Sequence, residues 1–421
     1  MFKKTILKNG LRIITAPMKN TKTATVIFLA RAGSKYETKE INGIAHFLEH
    51  MFFKGTKKRP STLDISSSLD QIGGEFSAFT GKEYVGYWAK VDSKHFDLAL
   101  DVISDIILNS KFNSTEINRE RGVILEEMNM YYDTPMSYVS DLFERLLYGD
   151  QPAGWDTLGR KEVVLRVKRK NFIDYLKSHY TNHNSVVCLA GNINSDQAVK
   201  KASKYFSSLE KSKPKDKAKV IERQNSPKSL IKYKKTDQTH LCLGVRAYDL
   251  FHPDRYALSL LSIILGGNMS SRLFISIRER EGLAYYIKTG AEIYTDSGYL
   301  VTQAGVDNKK AKRAVEIILK EYKRIKEKKI SRKELKGAKE YIKGRTLLAF
   351  ESSDEVASFA ATQEILTNKI LTLKEKFAKI DRVKPSDIQR VAQDIFTSQK
   401  LNLALIGPFK KNLCPRSLQQ L

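Results

Sequence analysis

Short runs in which nearly every position is apolar are interleaved along this chain with longer stretches in which apolar residues return every three or four positions. The runs have the length of strands and the stretches the length of helices. Residues 24–30 predict a strand, 41–54 a helix and 74–91 a pair of strands; 94–109 and 114–132 predict helices, and 185–191 a closing strand. The order then starts again. Residues 241–246 predict a strand, 254–265 a helix, 284–306 a pair of strands, 308–327 and 331–350 helices, and 401–406 a closing strand. Between the two copies, residues 211–228 are rich in Lys, Pro, Ser and Gln and carry neither period, as a linker does. The expected organisation is a first domain at residues 1–210, a linker at 211–228 and a second domain of the same plan at 229–421. The fold class is α+β, each domain an antiparallel sheet covered by helices on one face.

A length of 421 residues agrees with two domains of ordinary size. No apolar stretch approaches the 18 or so residues of a membrane span. The N-terminus is basic but has no apolar signal core, so the expected location is the cytoplasm. Cys188, Cys242 and Cys414 are odd in number and far apart, which argues against a disulfide framework or a thiolate metal site and for reduced thiols. Lysine and arginine exceed acids by 73 to 47, a net charge of +26. That charge recurs along helical segments such as 166–170 and 323–336 instead of forming a tail, so it reads as solvated helix faces. With no zinc-finger spacing and no aromatic RNA-binding motif, a nucleic-acid-binding protein is an alternative resting on charge alone, and no nucleic-acid partner is expected.

The chemistry is concentrated in His46-Phe47-Leu48-Glu49-His50. On a helix, histidines four apart stand about 40° from each other on one face and can share a metal ion, while Glu49 lies beside them in the position of a general base. The order H-x-x-E-H is that of the inverzincins. A catalytic zinc takes a third protein ligand and leaves a position open. The segment 118–128 offers Glu120 and Glu127, seven apart and so on one helix face, one able to ligate while the other orients a histidine. The plain alternative is that these acids balance Arg119 and Arg121 on a wet surface. His179 and His183 have the same spacing but lead into a strand with no acid nearby, and are read as surface or hydrogen-bonding groups. His95, His240 and His252 are isolated, and Gly266-Gly267 is read as a turn, not a phosphate loop.

With these residues, the chain resembles the insulinase/pitrilysin family of zinc metallopeptidases, and particularly its short two-domain members, such as mitochondrial processing peptidase beta subunits and bacterial relatives. The resemblance runs nearly the length of the chain, through 53–56, 73–80, 120–127, 269–274 and 278–285. It implies Glu127, not Glu126, as the third ligand of one Zn2+ per chain, and Glu120 as the residue orienting a ligand. It also implies that Ser77, Ala78, Phe79 and Thr80 lie on an edge strand that pairs with a peptide substrate; the family commonly has Asn where Ser77 stands. In the second half, Arg278 and Tyr285 match residues that the family directs at substrate near the metal. Since the chain supplies one half of the family's clam shell, the resemblance implies a dimer. The inference is a homodimer in which one subunit's Arg278 and Tyr285 complete the other's site, or else a heterodimer with a related chain.

The function expected is therefore hydrolysis of oligopeptides or unfolded polypeptides inside an enclosed chamber, by a metal-activated water with Glu49 as base. The competing reading within the family is a catalytically silent or partner-dependent core subunit, whose usual mark, loss of motif residues, is missing here. A two-histidine, one-carboxylate site also suits iron or manganese.

Overall fold

The computed structural model describes residues 2–209, 211–212 and 214–409. Cys414 lies outside the described residues; Cys188 and Cys242 are free thiols, and burial pushes both pKa values up.

Six strands form the first sheet: β1 (Lys3–Ile6), β2 (Arg12–Pro17), β3 (Thr23–Ala30), β4 (Glu75–Thr80), β5 (Val85–Asp92) and β6 (Ser185–Gly191), in the order β1-β2-β6-β3-β5-β4. Five form the second: β7 (Lys228–Tyr233), β8 (Gln238–Ala247), β9 (Ala284–Ile293), β10 (Gly298–Asp307) and β11 (Leu401–Gly407), in the order β7-β11-β8-β10-β9. Leaving β1 aside, the sheets correspond strand for strand. Each begins with a parallel pair, β2 with β6 and β7 with β11. Each then continues through antiparallel pairs to an edge strand, β4 or β9. The α+β class and the repeat are both present, with one parallel contact in each otherwise antiparallel repeat.

The central strands read as unbroken apolar runs because both of their faces are covered. All seven residues of β6 and all seven of β11 are buried. In the first sheet, Ile27, Leu29, Val186 and Cys188 pack against the helix Ser353–Thr367, through Val356, Ala357, Ala360 and Ala361. Side chains alternate along a strand, so Phe28 points to the opposite face, where it stacks on Tyr180 and Phe206. In the second sheet, Leu241, Leu243 and Val245 belong to the core built with the helices Arg255–Gly266, Ala311–Glu327 and Pro385–Ile395. Cys242, Ala404 and Ile406 face the other way, onto Val139, Leu142 and Phe143 of the helix Pro135–Tyr148.

These covering helices make the compact units discontinuous in sequence. One unit comprises the chain up to Met128 with Trp155–Ala218 and Arg345–Leu373; the other comprises Asn129–Gly154, Lys219–Gly344 and the chain from Lys374 onward. The helix Pro135–Tyr148 thus comes from the first half of the sequence and covers the second sheet. Ser353–Thr367 comes from the second half and covers the first. The sequence reading put its boundary at 211–228, and among the described residues that stretch holds no helix or strand before β7.

Candidate metal centre

The helix Ile44–Phe52 carries His46, Glu49 and His50 and is held by burial on its other sides. Ile44, Ala45, Phe47, Leu48, Met51 and Phe52 are all buried, and Phe47 and Phe52 meet Phe172 and Tyr87 edge-on, each with ring centroids 4.9 Å apart. The helix starts at Gly43, where φ is 95° and a Cβ would stand 2.6 Å from the Leu158 carbonyl oxygen, so glycine is required. Gly43 cannot cap the helix with a side chain. The cap comes instead from Glu37, whose buried carboxylate accepts from Gly43 N at 2.7 Å, Ala45 N at 2.9 Å and Asn42 Nδ2 at 2.9 Å. Burial pushes this carboxyl up to about 6 against the pull of those donors.

Three side chains converge beyond the exposed side of that helix. His50 Nε2 lies 3.3 Å from His46 Nε2 and 3.4 Å from Glu127 Oε2, and His46 Nε2 lies 3.5 Å from Glu127 Oε1. Four ligands placed tetrahedrally at zinc bond lengths of about 2.0–2.1 Å are separated by about 3.3–3.4 Å, so the triangle has the dimensions of one face of a zinc site. The residues present fit the metal. Glu127 comes from the helix Ser114–Tyr132, and its neighbour Glu126 is exposed on another bearing. Among the described residues, no other three His, Cys, Asp or Glu side chains come together in this way.

Glu120, one helical repeat before Glu127, is 3% exposed and lies 2.8 Å from His50 Nδ1 through Oε1 and 2.6 Å from Lys54 Nζ through Oε2. A carboxylate on the far ring nitrogen fixes the tautomer that leaves Nε2 free for a metal. Burial disfavours the charged His50 ring, but the hydrogen bonds to Glu120 and Glu127 outweigh it and hold its pKa at about 9 in the metal-free chain. Hydrogen bonds from His46 and His50 hold Glu127 well below the usual carboxylate range, and Glu120 is lowered by His50 and Lys54 against the effect of its burial. The arginines beside it do other work: Arg119 pairs with Glu116 at 2.7 Å, and Arg121 donates to the carbonyls of Val164 and Val167. The surface-balance reading of Glu120 is thereby replaced. Neither Lys54 nor Glu37 was singled out for a role from sequence. Lys54 lies four residues after His50 and could have been read from that spacing, whereas nothing local marks Glu37 as a cap.

Glu49 is half-buried and is not part of the triangle; its Oε2 lies 2.5 Å from Thr80 Oγ1. Thr80 ends β4, which among the described residues is paired with β5 alone and so lies at an edge of the sheet. Along it, Ser77 Oγ donates to the Ala78 carbonyl at 3.3 Å, and Phe79 packs edge-on against Tyr84. Arg278 and Tyr285 belong to the other compact unit. Arg278 sits on a π-helical segment, Phe274–Arg280, with its guanidinium 4.9 Å from the Phe274 ring centre, and Tyr285 on β9 is 75% exposed. His179 is buried against Tyr175 and Tyr36, where burial and the charge of Lys215 push it down to about 4, as suits a packed neutral ring.

Comparison with known proteins gives the family of the chain. Residues 12–161 match the family model described as Insulinase (Peptidase family M16), and residues 166–342 match Peptidase M16 inactive domain. An uncharacterized zinc protease of Bacillus subtilis, YmxG, is 37% identical over 409 residues, covering 97% of this chain and 98% of its own length. An uncharacterized zinc protease of Rickettsia felis is 34% identical over 403 residues, 96% of each chain. Among solved structures, a protease from Helicobacter pylori has the same fold, with a TM-score of 0.91 at 24% identity over 97% of this chain and 99% of that one. Family models over both halves, together with relatives of this identity along nearly the whole length, establish that the chain belongs to the insulinase (M16) family of peptidases.

Proposed function

We propose that this chain is a zinc-dependent endopeptidase acting on oligopeptides or unfolded polypeptides, with His46, His50 and Glu127 holding the metal and Glu49 as general base. The observation that carries the reading is the triangle of two Nε2 atoms and one carboxylate with sides of 3.3 to 3.5 Å. Bound there, zinc supplies a Lewis acid able to bring the pKa of water from 15.7 to about 7. The chain's own residues account for the rest. Glu120, braced by Lys54, keeps the His50 ring in its ligating orientation. Glu49 takes a proton from the attacking water and delivers it to the leaving amine as the C–N bond breaks, so no proton is lost or gained in the cycle. The open edge of β4, at Ser77, Ala78, Phe79 and Thr80, offers backbone donors and acceptors to an extended peptide, a recognition that reads main chain more than sequence.

Arg278 and Tyr285 are exposed, and we assign them to substrate in the site of a second copy of the chain, where they hold the peptide or its developing oxyanion. A related partner chain could supply the same pair in a heterodimer. A catalytically silent subunit of the family is the competing reading, and the complete set of His46, Glu49, His50 and Glu127 favours the enzyme. The test is Glu49→Gln, which should retain one zinc per chain while hydrolysis of a fluorogenic peptide falls by about 10²–10⁴-fold. Ordinary turnover by that variant would remove Glu49 from the mechanism.

A further inference from the structure

The side chain that touches the general base comes from the strand assigned to the substrate. Thr80 Oγ1 is 2.5 Å from Glu49 Oε2 and 3.5 Å from the Ala45 carbonyl oxygen. At the shorter contact the threonine hydroxyl donates and the carboxylate accepts. We propose that Thr80 is a positioning residue for Glu49, which rests on the reading of Glu49 as the base. Its hydroxyl holds Oε2 and leaves Oε1 as the atom that receives the proton of the attacking water.

Both ends of this contact are on fixed elements. Glu49 stands on the helix anchored by Glu37, and Thr80 is opposite Val85 in the β4–β5 ladder. A glutamate side chain left free would distribute itself among several rotamers. The hydroxyl selects one. Because Thr80 is also the last residue of β4, the strand that would set the register of the peptide is the strand that aims the base. A carbonyl aligned on β4 and a carboxylate aligned by Thr80 thus share one frame, and errors of about 1 Å in such alignment can cost about 10²-fold in rate.

Thr80→Val keeps the shape and the β-branch and removes the hydroxyl, and Thr80→Ser restores the hydroxyl without the methyl. The valine variant should lose about 10–100-fold in kcat with KM within about twofold of the wild type and one zinc still bound per chain, and the serine variant should recover to within about threefold. A readout that needs no turnover accompanies these. In the metal-free chain, the drop in melting temperature caused by Thr80→Val should shrink when Glu49 is already alanine, because the bond being removed is then absent. The proposal is overturned if Thr80→Val leaves kcat within threefold while Glu49→Gln is inactive. It is equally overturned if KM rises with kcat unchanged, which would make Thr80 a substrate contact, or if the melting shift is the same with and without Glu49. A wild-type protein without metal-dependent hydrolysis would sink the peptidase reading itself, and the positioning role with it, a result distinguishable from all of these.

Discussion

Replacing Glu120 by glutamine should weaken zinc binding by an amount that grows with pH. The carboxylate is 3% exposed and bridges His50 Nδ1 at 2.8 Å and Lys54 Nζ at 2.6 Å. Glutamine keeps the shape and one acceptor oxygen but not the charge, so a charge-assisted bond of about 1.5–3 kcal/mol becomes a neutral one of about 0.5–1.5 kcal/mol. The difference, about 1–1.5 kcal/mol, corresponds to roughly a tenfold loss of affinity, the low end of the range for groups that orient a ligating histidine. A second effect opposes it. Glu120 and Glu127 hold His50 at about 9 in the metal-free chain, so at pH 7 a proton must be displaced, which lowers the apparent affinity of the wild type by about a factor of 100. Losing the Glu120 charge lowers the His50 pKa and relieves part of that competition. The defect should therefore be small at pH 7 and reach its full, roughly tenfold size only above pH 9, where His50 is largely neutral in both proteins. Competition for zinc between the metal-free protein and a chromophoric chelator, at pH 7 and pH 9.5, measures both numbers, with circular dichroism as the control for folding. Equal affinities at pH 9.5 would refute the orienting role of Glu120; a loss of the same size at both pH values would refute the proton competition.

Three further outcomes follow from the same geometry. His50 has a folded pKa above its unfolded value, so its contribution to the stability of the metal-free chain is fully present below about pH 6.5 and is lost as pH rises through 9. The ceiling is about 3 kcal/mol, reduced because the ring is 20% exposed, and a melting temperature of the metal-free chain that does not fall over this window would contradict it. If Arg278 and Tyr285 act in a second copy, mixing inactive Glu49→Gln chains with inactive Arg278→Ala chains restores hydrolysis, since mixed dimers hold one complete site; no recovery after exchange of subunits would exclude that arrangement. Finally, Lys35 and Glu83 form an ion pair at 2.8 Å with side chains 0% and 3% exposed, and Lys217 also reaches Glu83 at 3.4 Å. Lys35→Met leaves that carboxylate one cation fewer and should destabilise the first unit by about 1–3 kcal/mol in denaturant melts, and no measurable change would show the Lys35 contact to be dispensable.

Much of this protein can be read from its sequence, for identifiable reasons. The strands β3, β6 and β11 stand out because burial on both faces leaves no room for polar alternation, and His46 and His50 stand out because one helical turn brings them to one face. What covers those strands does not stand out. The helices Pro135–Tyr148 and Ser353–Thr367 each carry an apolar face, but nothing in that face says which sheet it will meet, and each covers the sheet formed mainly by the other half of the chain. Glu126 and Glu127 are about 100° apart on one helix, so helical periodicity alone leaves the choice open; the family resemblance points to Glu127, and it is Glu127 that folding places beside His46 and His50 while Glu126 is exposed. Glu37 and Thr80 act through contacts made by folding, one from a turn upstream of the metal helix and one from a strand downstream, and no spacing rule connects them to His46 or Glu49.

The central claim is tested most directly by hydrolysis of a quenched fluorescent peptide library by the purified chain, before chelation, after chelation, and after one equivalent of zinc is returned. The account predicts activity that disappears with the metal and returns with zinc, together with its absence in Glu49→Gln. Zinc bound at one per chain without hydrolysis of any peptide would contradict it and point instead to a missing partner subunit or to a silent subunit that has kept its metal site.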